Sequence, residues 1–123
     1  MATISLGKAP KNFKHVVTVK MLDGTDGSIE CVFKYRTTVA YGELVDRLAA
    51  EGDPKAGPEA LASIFERNRA RNGEYLTHIL EGWNLDLDFT QENAQQLCDE
   101  MPGVMNAIFE AYRVAITAGR LGN

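Results

Sequence analysis

HVVTVKMLDGTDGSIECVFKYR, residues His15 to Arg36, decides the reading of the fold. From His15 the chain alternates, with Val17, Val19 and Met21 on one face and Thr18 and Lys20 on the other. Asp23-Gly24-Thr25-Asp26-Gly27 is dense in residues that tolerate turn backbone angles. Alternation then resumes: Ile29, Cys31, Phe33 and Tyr35 share one face, while Glu30, Lys34 and Arg36 share the opposite one. Two such runs around a short turn predict a β-hairpin. A lone hairpin is marginal in water, so its apolar face needs a cover from elsewhere in the chain.

Downstream the period changes from 2 to 3.6 and supplies that cover. Tyr41, Leu44, Val45 and Leu48 keep helical spacing, and Gly52 follows as a stop. Residues 51–58, EGDPKAGP, read as a loop, with Pro58 opening a second helix that buries Leu61, Ile64 and Phe65. Asn72-Gly73 is expected to cap it. A third helix follows on Leu76, Ile79, Leu80 and Trp83, at i, i+3, i+4 and i+7. The segment NLDLDF, residues 84–89, alternates briefly, and Thr90 is placed to cap a helix that buries Ala94, Leu97, Cys98 and Met101. Pro102 either begins a new helix or kinks the old one. The last helix carries Val104, Met105, Ile108, Phe109, Tyr112 and Ile116 along one side and runs out at Gly119. The expected organisation is a flexible tail over residues 1–14 and a single α+β domain over 15–123. Its hairpin occupies 15–37, and a bundle of about five helices occupies 40–119.

At 123 residues the chain has the usual size of one domain, and 45% apolar with 24% charged residues is ordinary for a globular protein. Its net charge of −4 excludes a generally basic nucleic-acid binder. The charge is uneven: residues 1–40 carry six basic and three acidic groups, residues 41–123 seven basic and fourteen acidic. No apolar run approaches the ~18 residues that a membrane span needs. The N-terminus has lysines but no apolar core of a signal peptide, so no secretion is expected. Two cysteines, Cys31 and Cys98, have neither disulfide-scaffold nor zinc spacing and fall on apolar faces, where a free thiol behaves as a small hydrophobe.

Few residues carry candidate chemistry. Asp86-Leu87-Asp88-Phe89-Thr90 matches the DxDxT pattern of magnesium-dependent aspartate-nucleophile phosphatases. That chemistry requires a buried parallel strand in a doubly wound sheet, and this chain lacks the further strands; a turn with two solvated carboxylates and a helix cap is the simpler reading. Asp23, Asp26 and Glu30 sit between strands, not between the flanking helices of a calcium loop. His15 and His78 are the only histidines, and neither lies within a helical turn of another likely ligand cluster. Arg67, Arg69 and Arg71, at spacing two, spread around a helix and read as a solvated helix end with no interleaved aromatic for single-stranded nucleic acid. No catalytic residue, metal or cofactor is expected. Trp83, Phe89, Phe109 and Tyr112 are core by default, and any that are exposed would be natural anchors for another chain.

Gly82-Trp83-Asn84-Leu85-Asp86, Phe89-Thr90-Gln91-Glu92-Asn93, Leu97 to Gly103, and the ending Ile108-Phe109-Glu110-Ala111-Tyr112 to Gly119-Arg120-Leu121-Gly122-Asn123 stand in a set order. Over residues 82–123 this order resembles the tail assembly chaperones of long-tailed bacteriophages. The hairpin followed by a Glu-Leu-Val helix fits the same family more loosely. The resemblance implies a non-enzymatic protein of the host cytoplasm, absent from the mature virion and often made also in a longer frameshifted form. It implies binding of the tape measure protein, help in recruiting tail tube protein subunits, and self-association into a homo-oligomer, with no nucleic acid or membrane among the partners. Apolar grooves between the C-terminal helices suit a helical client. The candidate partner-binding residues are then Trp83, Phe89, Leu97, Met101, Phe109 and Tyr112. The alternative is a structural minor tail or connector protein retained in the virion.

Overall fold

The computed structural model describes residues 3–51 and 59–121. In chain order the elements are β1 (Asn12–Lys20), β2 (Asp26–Lys34), α1 (Thr38–Glu51), α2 (Leu61–Ile79), β3 (Leu80–Trp83), α3 (Gln91–Glu100) and α4 (Pro102–Ala118). The three strands form one antiparallel sheet in the order β1-β2-β3.

The expected hairpin is present, with Val17 opposite Ile29 and His15 opposite Cys31. Its turn closes through the Met21 amide donating to the Thr25 carbonyl at 2.8 Å and the Gly24 amide donating to Met21 at 2.9 Å. Asp23 Oδ1 accepts from both the amide and the hydroxyl of Thr25, which holds the Asp23 carboxyl below its ordinary value. Gly24 sits at φ +85°, a left-handed conformation that a side chain would strain.

One face of this sheet is covered by helices, and Val16, Thr18 and Glu30 on the other remain exposed. On the covered face Val17, Ile29, Cys31 and Phe33 meet Leu76 and Ile79 of α2, Leu80 of β3, and Ile108, Tyr112 and Ile116 of α4 in one buried cluster. Aromatic rings concentrate at the open end of the hairpin. Phe33 stacks at 5.4 Å on both Phe13 and Tyr112, and Tyr41 of α1 meets Tyr112 edge-on at 5.7 Å. The Tyr112 hydroxyl donates to the Lys34 carbonyl at 2.8 Å and accepts from Arg36 at 3.2 Å, so this buried polar group is satisfied twice.

Four helices and a third strand, among the described residues, replace the expected five helices. The second and third expected helices are one: α2 runs through Asn72-Gly73, which caps nothing. Gly73 is there because α3 crosses it. A Cβ on Gly73 would lie 2.3 Å from Gln95 Cγ and 3.0 Å from the Gln95 backbone, so only glycine admits that approach. The expected third helix ends at Ile79. Leu80 switches directly to extended backbone (φ −111°, ψ 147°), and β3 pairs with the free edge of β2, setting Cys31 opposite Trp83 with a bulge at Val32/Phe33. Asn84 prolongs this pairing, its amide donating to the Glu30 carbonyl and its side chain accepting from the Glu30 amide. A row of unpaired β2 backbone groups outweighs the helical spacing of Leu80 and Trp83, and Gly82, a poor helix former, eases the change.

Other boundaries shift less. The first strand begins at Asn12, three residues earlier than expected, because Phe13 extends the inward row. Leu61 and Phe65, expected in the core, are exposed, as is Val45 to a lesser degree. Met101, expected to be buried, is 41% exposed. Glu51, expected in the loop, is the last residue of α1, and residues 52–58 lie outside the described residues. The second helix does not start at Pro58 as expected, since Ala60 is extended and α2 begins at Leu61. Thr90 caps α3 through the Asn93 amide at 3.1 Å, as its sequence position predicts. Pro102 opens α4, and Gly119 ends it at φ +68°.

Candidate partner-binding surface

Asp86 and Asp88 lie exposed on the link between β3 and α3, and the described residues contain no group of three His, Cys, Asp or Glu side chains placed to hold a metal ion. Burial pushes the Cys31 thiol up to about 12 and the Cys98 thiol up to about 11, so neither supplies a thiolate near neutral pH. His78 stands 3.8 Å from Glu74 on the same helix. The arginine run is not the solvated helix end expected, because α2 continues past it. Arg67 pairs with Glu59, and Arg69 reaches Glu66 and Asp99 at 3.8 and 3.9 Å, tying α2 to α3.

The six candidate partner-binding residues separate into three places. Trp83, Leu97 and Met101 line a hollow of about 140 Å³ together with Leu85, Leu87, Asn93, Gln96 and Glu100. The Trp83 indole donates to the Leu87 carbonyl at 2.7 Å and meets Phe89 edge-on at 5.0 Å, so ring and link hold each other in place. Phe89 is therefore a support behind this hollow. Phe109 belongs elsewhere. It packs edge-on against Tyr75 at 4.7 Å and lines a groove of about 410 Å³ between α1, α2 and α4, with Tyr41 and Val45. Tyr112 is fully buried and belongs to the core that holds the hairpin to α4.

A second hollow of about 380 Å³ adjoins the first. Met21 and Leu22 from the hairpin turn and Pro102, Gly103 and Val104 from the start of α4 line it, with Lys20 at its edge. Glu100 and Met101 line both hollows and join them into one surface. Leu22 projects fully into solvent, and Leu87 and Met101 are 51% and 41% exposed. Sequence reasoning missed Met21, Leu22, Leu85, Leu87 and Pro102. Signals were present: Leu22 is an apolar residue inside a polar turn, and Leu85 and Leu87 alternate with acids in a segment too short to bury them.

These features define a small α+β protein that presents joined apolar hollows to solvent. A family model described as phage tail assembly chaperone matches residues 1–123, and the chain belongs to that family. The match takes in the hairpin as well as the C-terminal motifs. Searches of curated proteins and of solved structures return no match. Family membership makes this a phage tail assembly factor whose partners are phage tail proteins. No helix among the described residues is long and apolar enough to cross a membrane.

Proposed function

We propose that the chain binds the tape measure protein of its phage before the tail is built and helps recruit tail tube subunits around it. It works in the host cytoplasm and is absent from the finished virion. The observation that carries this reading is the joined apolar surface around Met101, left open on a protein of the tail assembly chaperone family. A tape measure protein is long and helical, and an unassembled amphipathic helix aggregates unless its apolar face is covered. A surface with Trp83, Leu97 and Met101 at its centre covers such a face, since each large apolar side chain fully buried contributes about 1.5–3 kcal/mol. Phe109 serves the same client through the groove between α1, α2 and α4, while Phe89 supports Trp83 and Tyr112 belongs to the core. Self-association belongs to the same reading: among the described residues the outer edge of β1 pairs with no strand, and it is available to a second copy.

Co-expression with the tape measure and tail tube proteins of the same phage tests this. The expected result is a tape measure protein that stays soluble and co-purifies only when this chain is present. A tape measure protein that forms no complex, together with recovery of this chain from purified particles, would instead establish a virion subunit.

A further inference from the structure

The joined hollows carry a charge signature that specifies their occupant more narrowly. Gln96 and Glu100 of α3 line the first hollow, with Gln96 Nε2 donating to Glu100 at 2.9 Å, and Glu92 lies one turn before Gln96 on the same helix face. The link that contributes Leu85 and Leu87 also carries Asp86 and Asp88, both exposed. Among the described residues lining either hollow, Lys20 is the one cation, and it is held 2.9 Å from Asp26. Glu100 thus lines both hollows, and Glu92, Asp86 and Asp88, all exposed, add negative charge on the two elements that line the first hollow. Met101, which also lines both, has an unbranched side chain that adapts to different apolar shapes.

The geometry points to an amphipathic helix with lysine or arginine beside its apolar stripe as the occupant of this surface. Rested on the chaperone reading above, this makes the bound segment of the tape measure protein a basic amphipathic helix. Two adjoining hollows separated by Met101 accept two large apolar side chains from one helix face, and the flanking cations meet Glu92, Glu100, Asp86 and Asp88. An acidic helix with the same stripe is repelled, so the rim sets specificity while the floor supplies affinity.

Trp83 is the only tryptophan in the chain and lines the surface, so its emission reads occupancy directly. The probe is a tryptophan-free synthetic peptide of about 20 residues, long enough to form a helix. It has a Leu/Met stripe flanked by lysines, and a partner peptide carries glutamates instead. With the purified full chain, the lysine peptide is expected to shift Trp83 emission saturably and the glutamate peptide to bind at least about tenfold more weakly, with added salt narrowing the gap. The doubly substituted Glu92→Lys/Glu100→Lys chain, altered only at exposed positions, is expected to reverse the preference. Met101→Glu is expected to weaken the lysine peptide about tenfold or more.

Equal binding of both peptides, binding of neither, or a preference unmoved by the double substitution would overturn the proposal. A Trp83 shift produced by raising protein concentration alone, and abolished by Met101→Glu, would also overturn it, because the occupant would be a second copy. The chaperone reading fails separately. If the tape measure protein co-purifies equally with the wild-type and charge-reversed chains, only the basic-helix proposal falls; if it co-purifies with neither, the reading itself falls.

Discussion

Tyr112 and Trp83 are both large aromatic residues with one polar atom, and the chain uses them in opposite ways. Tyr112 is fully buried between the hairpin and α4, its ring stacked on Phe33 and its hydroxyl bonded to Lys34 and Arg36. Trp83, on β3, is partly buried against the same core, its indole bonded to the Leu87 carbonyl on its own link and its ring lining the hollow shared with Leu97 and Met101. The first region spends its apolar surface on holding helices to strands. The second leaves Leu22, Leu87 and Met101 exposed around a partly buried ring. On the function proposed above, that difference separates folding from binding within one small chain, and substitutions in the two regions are expected to fall on different observables.

The largest stability effect is expected at the first region. Tyr112→Ala removes the ring that joins Phe33, Phe13 and Tyr41 and should cost about 3–5 kcal/mol by denaturant unfolding. A loss below 1 kcal/mol would mean that this cluster does not hold the hairpin. Next comes Gly73→Ala. Alanine favours helices by about 1 kcal/mol over glycine, yet its Cβ would collide with Gln95, so a net loss of about 1–3 kcal/mol is expected. A gain in stability would show that α2 and α3 separate easily. Tyr112→Phe keeps the ring and removes only the hydroxyl, leaving the Lys34 carbonyl without that donor; about 1–2 kcal/mol should be lost.

Alkaline pH sharpens the same contrast. Below the ordinary thiol value of 9.0, Cys31 is protonated in both folded and unfolded chains and adds no pH dependence. Between 9.0 and about 12 the unfolded thiol ionises while the buried one keeps its proton. The folded state then binds more protons, and stability falls as pH rises, by up to about 1.4 kcal/mol per pH unit from such a group. Replacing Cys31 with alanine should flatten that slope in pH-dependent urea melts. The smallest stability change belongs to the second region: Met101→Glu, on a partly exposed side chain, should stay within about 0.5 kcal/mol.

What could be read from sequence follows from the range of the forces involved. The hairpin, α1, the Thr90 cap of α3 and the course of α4 are local, and alternation, helical spacing and turn or cap residues announce them. β3 was not legible because Leu76, Ile79, Leu80 and Trp83 satisfy a helical period equally well. Only the waiting edge of β2, some fifty positions away in sequence, turns Leu80–Trp83 into a strand. Gly73 misled for a similar reason, since a glycine that admits a crossing helix looks in isolation like a helix stop. Of the candidate binding residues, Trp83, Leu97 and Met101 meet in space, Phe89 stands behind them, and Phe109 and Tyr112 lie elsewhere. The hairpin-turn contribution of Met21 and Leu22 depends on the turn resting beside the start of α4, which no local pattern reports.

The central claim is that the surface around Met101 exists for binding and not for folding. Its most direct test is co-purification of the tape measure protein with the wild-type chain and with Met101→Glu/Leu87→Glu, alongside urea melts of both chains. The account predicts unchanged melts within about 1 kcal/mol and a tape measure protein that no longer co-purifies with the variant. Equal co-purification with both chains, at equal stability, would contradict it.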